Sequence, residues 1–177
     1  MYLRELHVEN LKLLRDFRLS FCDENGAPRR WTVLVGRNAR GKTSVLQAIA
    51  LAAAGKTLAN SLASDSLTSL FDRRARSQRK VEIRAEFELP SLGAVGKRPT
   101  PKRKLPGRHK GDRLTSQLLL RPNESILRGS SWYGGLDDAV RTQDDPLEEA
   151  RIANLPWWFV AAYGVDRRLS LDARKNV

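Results

Sequence analysis

Thiols and imidazoles are nearly missing from this 177-residue chain: it holds one cysteine, Cys22, and two histidines, His7 and His109. A single cysteine forms no internal disulfide and builds no thiolate zinc cluster. Two isolated histidines give nothing with transition-metal ligand spacing. Long apolar runs are also absent; the longest, around Val45 to Ala54 and Leu155 to Gly164, are too short to span a bilayer. The opening MYLRELHVEN carries charge within five residues and has neither an apolar segment nor a cleavage site, so no secretory signal is read there. These absences predict a cytoplasmic protein without a membrane partner. Acidic residues are scarce as well. Against 32 Lys and Arg there are 20 Asp and Glu, a net charge of +12. That excess suits a polyanion such as DNA or RNA, although an arginine-rich genome produces the same balance.

What is present is enough for one domain with a core. Apolar residues make up 41% and charged residues 29%, the balance of a folded chain rather than a disordered one. The start reads as strands: Leu6 and Val8 belong to an imperfect alternation, while Phe17, Leu19 and Phe21 alternate cleanly with Arg18 and Ser20. DENGAP, from Asp23 to Pro28, is a turn cluster, and WTVLV, from Trp31 to Val35, predicts a buried strand. From Lys42 the period becomes helical through Val45, Leu46, Ile49, Ala50 and Ala53, with Gly55 as the expected stop. A weaker helical pattern follows through Leu58, Leu62, Leu67, Leu70 and Phe71.

KVEIRAEFELP alternates strictly and predicts a half-exposed antiparallel strand ended by Pro90, with RLTSQLLL and ESILRGSSWY as partners. Between them, Gly96 to Arg113 holds eight Lys or Arg, one Asp, three Pro and three Gly. Nothing there builds a core, so an exposed basic loop is expected. Its Lys97, Arg98, Lys102, Arg103, Lys104, Arg108 and Lys110 are candidates for nucleic-acid phosphates, against the plain alternative of a solvated insertion without a stacking aromatic. Asp145, Pro146 and Glu148 mark a helix start. WWFVAAYG, from Trp157, reads as a buried strand, its tryptophans as core.

Residues Gly36-Arg37-Asn38-Ala39-Arg40-Gly41-Lys42-Thr43 match G-x-x-x-x-G-K-[ST] at every fixed position, between an apolar strand pattern and an amphipathic helix. Such a loop turns its amides inward around phosphate oxygens, and the helix amino terminus adds partial positive charge. Gly36 and Gly41 permit the bend. Lys42 reaches the β- and γ-phosphates, the Thr43 hydroxyl ligates Mg²⁺, and Ser44 adds a contact near the α-phosphate. ATP and Mg²⁺ are the expected cofactors.

LHVENLKLLRDFRLSF followed by WTVLVGRNARGKTSVLQAIALA resembles the amino-terminal half of ABC-type ATPases of the SMC, RecF and OLD families, a group shared with bacterial phage-defence ATPases. The resemblance implies an α/β P-loop NTPase fold of the SMC-head type, with a mixed sheet and an antiparallel β-subdomain, here incomplete. It divides the chain into strands, loop and helix over 1–56, a β-subdomain over 80–134 with its basic loop at 96–113, and a helix and strand over 145–177. It puts Asn10-Leu11-Lys12 at the family's Asn-aromatic-basic motif, so Lys12 would approach the phosphates. Ala39 stands where a glycine is frequent, and Arg40 adds charge. The segment Gly164-Val165-Asp166-Arg167-Arg168 takes the Q-loop position without its Gln.

Hydrolysis in this class needs an acidic strand followed by Glu, an L-S-G-G-type signature and a switch histidine. Asp166 is followed by Arg167, LRGSS and WYGG are poor signatures, and no histidine follows His109. No catalytic residue is therefore identified in the chain. No N-K-x-D guanine-reading motif is present either. Two readings stand. One is the ATP-binding part of a longer ATPase that dimerises on ATP and acts in nucleic-acid processing or phage defence, with a homodimer or larger oligomer and an effector subunit as partners. The other is a non-hydrolysing companion that binds nucleotide and nucleic acid.

Overall fold

The computed structural model describes residues 1–37, 40–63, 67–71, 79–88, 113–137 and 145–148. Five strands form one antiparallel sheet in the order β2-β1-β3-β4-β5. They are β1 (Tyr2–Leu11), β2 (Leu14–Ser20), β3 (Val81–Glu88), β4 (Arg113–Leu120) and β5 (Arg128–Tyr133). The helix α1 (Lys42–Ala63) packs across β1, β3, β4 and β5. The described part is thus a sheet with one helix on one face, a two-layer arrangement around a shared core.

Register explains which residues enter that core. Leu6 and Val8 on β1 lie beside Ala85 and Ile83 on β3, and Ile83 lies beside Leu118 on β4. All five are buried, as are Val45, Ala48, Ala52 and Ala59 on the helix. The imperfect alternation at the amino terminus has a cause. The β1–β3 register shifts between Leu3 and Glu5, so Arg4 is an extra residue in a bulge. That bulge returns Leu6 to the face of Leu3 after three residues instead of two.

The opposite face carries ranks of charge set by the same register. Glu9, Asp16 and Glu82 are aligned, as are His7, Arg18 and Arg84. His7 Nε2 lies 2.9 Å from Asp16 Oδ1 and 3.9 Å from Glu9 Oε1. Arg84 bridges Glu9 at 3.3 Å and Glu82 at 3.0 Å. Arg4 pairs with Glu86 at 3.2 Å and with Glu88, and Arg113 also reaches Glu86, at 3.4 Å. Glu82 and Glu86 are buried, not half-exposed as their alternation predicts. Neighbouring side chains cover them, and the Leu136 amide donates to Glu86 at 3.2 Å. Ion pairing and hydrogen bonds compensate their loss of water.

Two sequence boundaries shift. The helix is interrupted at Gly55, as expected, but a second segment resumes and runs to Ala63. Ser116 donates to the Ala52 carbonyl at 2.7 Å, close to that break, where helical donors run out. Beyond it, Asn60 donates to the Leu127 carbonyl and accepts from the Leu127 amide, at 2.9 and 2.7 Å. Of the weaker helical pattern, Leu67–Leu70 form a single 3-10 turn. Arg113, assigned to the basic loop from sequence, is the first residue of β4 and pairs with Glu88.

The turn at Asp23 is built as its residues suggest. Its carboxylate accepts from the Asn25 and Ala27 amides at 3.0 and 2.8 Å. Asp145 likewise accepts from the Glu148 amide at 3.3 Å, capping a short helical turn over 146–148. The expected strand at Trp157 and the Q-loop-like segment lie outside the described residues.

The expected buried strand at Trp31–Val35 is not found. No strand is formed there, and Trp31, Val33 and Val35 are 89%, 81% and 90% exposed. Only Leu34 packs against the core. A buried strand needs neighbours on both edges, and among the described residues none borders this segment. Its composition states a need for cover that these residues do not supply. Helix α1 meets the length and composition of a membrane span. Here its apolar side faces the sheet, and Gly55 divides it.

Candidate nucleotide-binding site

The loop after Val35 leads directly into α1. Gly41 has φ +86°, a conformation L side chains rarely adopt, and its carbonyl accepts from the Val45 amide at 2.9 Å. Gly41 therefore stands at the cap position, and Lys42, Thr43 and Ser44 form the first helical positions. Amides at those positions have no acceptor within the helix. They point outward from its amino terminus together with the positive end of the helix dipole. No acidic residue lies in that first turn.

Lys42 curls back over the loop. Its Nζ donates to the Gly36 carbonyl at 2.5 Å and to the Arg37 carbonyl at 2.8 Å. Among the described residues, no carboxylate lies within ion-pair distance of Arg37, Arg40 or Lys42. Arg37, Arg40 and Thr43 are exposed, and Ser44 is buried. Three cations, outward amides and no compensating acid make this end of the helix attractive to a polyanion. Carbonyls are weak partners for an ammonium compared with phosphate oxygens.

The turn Asn10-Leu11-Lys12 is brought to the same helix. Asn10 and Lys12 both take positive φ, +55° and +52°, on either side of the fully buried Leu11. Asn10 Nδ2 donates to the Lys80 carbonyl at 3.1 Å, and the Lys12 amide donates to the Leu70 carbonyl at 2.9 Å. Lys12 Nζ donates to Gln47 Oε1 at 2.8 Å, on α1 four residues beyond Thr43. The resemblance-based expectation puts Lys12 at the phosphates; here its amine rests on the helix flank.

Sequence reading missed two contributors. Leu14, the first residue of β2, lies against Gly41. Gln47 holds the Lys12 amine. Spacing alone offered one signal for Gln47, since residues four apart share a helix face with Thr43. Nothing in the sequence marked Leu14.

Asn38 and Ala39 lie outside the described residues, as do the basic-loop candidates Lys97, Arg98, Lys102, Arg103, Lys104, Arg108 and Lys110. Among the described residues no group of three His, Cys, Asp or Glu side chains gathers as a metal cage. The donor set fits a metal carried by nucleotide phosphates, with Thr43 adding one hydroxyl.

Residues 1–134 match the family model described as an AAA ATPase domain. Over 95 residues the chain is 37% identical to the DNA replication and repair protein RecF of Synechococcus sp. (strain JA-2-3B'a(2-13)). That alignment covers 54% of this chain and 20% of the relative, so the chain spans about a fifth of the length of the curated protein it matches.

Proposed function

Because the chain belongs to the AAA ATPase domain family, we propose that residues 36–44 and Lys12 form the ATP site of an SMC/RecF/OLD-like ATPase. Gly36, Arg37, Asn38, Ala39, Arg40 and Gly41 frame the phosphates, and the amides of Lys42, Thr43 and Ser44 donate to them. Lys42 leaves the two loop carbonyls and turns to the β- and γ-phosphates. Thr43 completes the coordination of Mg²⁺, which supplies charge neutralisation on the phosphates. The observation that carries this reading is the capped start of α1, with Lys42 folded into a loop that holds no acid.

ATP then drives head-to-head dimerisation, and hydrolysis is completed by groups this chain does not supply. The work served is nucleic-acid processing or anti-phage defence, in the cytoplasm, with an effector subunit as a further partner. The printed role of the relative in DNA replication and repair and the net charge of +12 support the nucleic-acid side.

Titration of ATP·Mg²⁺ against the chain and its Lys42→Ala variant tests the site. Uptake by the wild type and its loss in the variant is expected; equal affinity of the two overturns the assignment. A second reading, a non-hydrolysing nucleotide-binding companion, is favoured by one observation, the absence from the sequence of an acidic strand followed by Glu. Turnover on joining the chain to a partner carrying that strand separates the two.

A further inference from the structure

Lys12 and Gln47 meet beside the loop, and neither their pairing nor Gln47 itself belongs to the phosphate motif. The backbone of Lys12 is fixed: its amide is bonded to Leu70, and Leu11 before it is fully buried. Its amine can therefore move only by side-chain rotation. Gln47 lies four residues after Thr43 on α1 and shares its exposed flank. At 1.5 Å per residue, that places the two about 6 Å apart along the helix axis. Rotation of a lysine stem spans such a distance.

We propose that Gln47 is a positioning residue for the phosphate site, parking the Lys12 ammonium one helical turn behind Thr43 until nucleotide phosphates draw it forward. The inference rests on the nucleotide reading above and adds a conformational step to it. The residue type matters. A glutamine carbonyl accepts one hydrogen bond from the ammonium but does not neutralise it, so the full charge stays available. An exposed neutral acceptor holds an ammonium weakly, and a phosphate oxygen competes successfully with it. A carboxylate at the same place would not yield so readily. It would trap Lys12 in the parked position.

The test is a double-mutant cycle on ATP·Mg²⁺ affinity with Gln47→Glu and Lys12→Ala, with thermal midpoints recorded for every variant. Gln47→Glu should weaken ATP binding by roughly tenfold when Lys12 is present, because parking becomes an ion pair. In the Lys12→Ala background the same change should cost only about twofold, the direct repulsion of one charge from phosphates about 8 Å away in water. Gln47→Met, which removes the acceptor without adding charge, must also show a smaller loss than Gln47→Glu. An equal effect of Gln47→Glu in both backgrounds overturns the inference while leaving the nucleotide site standing. A fall in thermal midpoint that accounts for the affinity loss assigns Gln47 a structural role and overturns it too. No ATP uptake by the wild-type chain overturns the nucleotide reading and this step together.

Discussion

Gly41 is pressed against Leu14: a β-carbon placed on the glycine would lie 3.1 Å from Leu14 Cδ2. The contact joins the amino terminus of α1 to the start of β2 at a residue whose φ is +86°. Gly41→Ala therefore meets two obstacles, backbone strain of about 1–2 kcal/mol and a tight side chain. We expect a lower thermal midpoint and at least tenfold weaker ATP binding. Adding Leu14→Ala should relieve the crowding but not the strain, so full recovery of affinity in the double variant would contradict this account. Calorimetric titration of both variants decides it.

Gly55 holds the other conformational constraint, with φ 67° and ψ 174° inside α1. That region is essentially restricted to glycine. Gly55→Ala should cost about 1–3 kcal/mol by urea unfolding, despite alanine's higher helix propensity. A stabilised variant would mean that α1 straightens without loss of the packing around Ala59.

Those two glycines show how far the sequence could be read. The motif from Gly36 to Thr43 and the stop at Gly55 were visible because each is a local demand of backbone geometry. RLTSQLLL was placed as β4 because its partner β3 alternates strictly and both strands lie close in sequence. Trp31–Val35 misled for the opposite reason, since burial depends on neighbours that residue type does not reveal. Glu82 and Glu86 misled similarly: acidic residues at alternate positions suggest water, but register places Arg4, Arg84, Lys80 and Arg113 around them. Gln47 became meaningful only once Lys12 was brought to it from 35 residues away.

Thr43 is exposed at the second position of α1, with its hydroxyl proposed to ligate Mg²⁺. Thr43→Ala should preserve folding and leave ATP affinity measured in EDTA within about twofold. With Mg²⁺ present it should lose most of the gain that the metal gives the wild type, roughly tenfold. Equal Mg²⁺ enhancement in both proteins would remove Thr43 from the metal site.

Arg113 belongs to β4 and bridges Glu86, so a test of the basic loop must spare it. Replacing Lys97, Arg98, Lys102, Arg103, Lys104, Arg108 and Lys110 by Gln should weaken DNA binding. The slope of log K against log salt should shrink by about 0.9 for each cation that contacts a duplex phosphate. Filter binding across a salt series measures it. An unchanged slope would leave the loop a solvated insertion.

Glu82 links the charged face of the sheet to acid stability. Burial works against its ionised form, but hydrogen bonds from Lys80 and Gln117 and the charges of Arg84 and Lys80 outweigh it, holding its pKa below the ordinary carboxylate value. A carboxylate with a depressed folded pKa stabilises the protein above its unfolded pKa, near 4.3, and that contribution disappears as pH falls through the folded value. Glu82→Gln should therefore cost about 1–2 kcal/mol at pH 7, where charge-assisted hydrogen bonds and an ion pair are lost. Below the folded pKa, wild-type Glu82 is itself protonated and the two proteins should converge. Urea midpoints at pH 7 and pH 2.5 measure the difference at each end. A gap that is constant or widens in acid would show that packing, not ionisation, sets the role of Glu82.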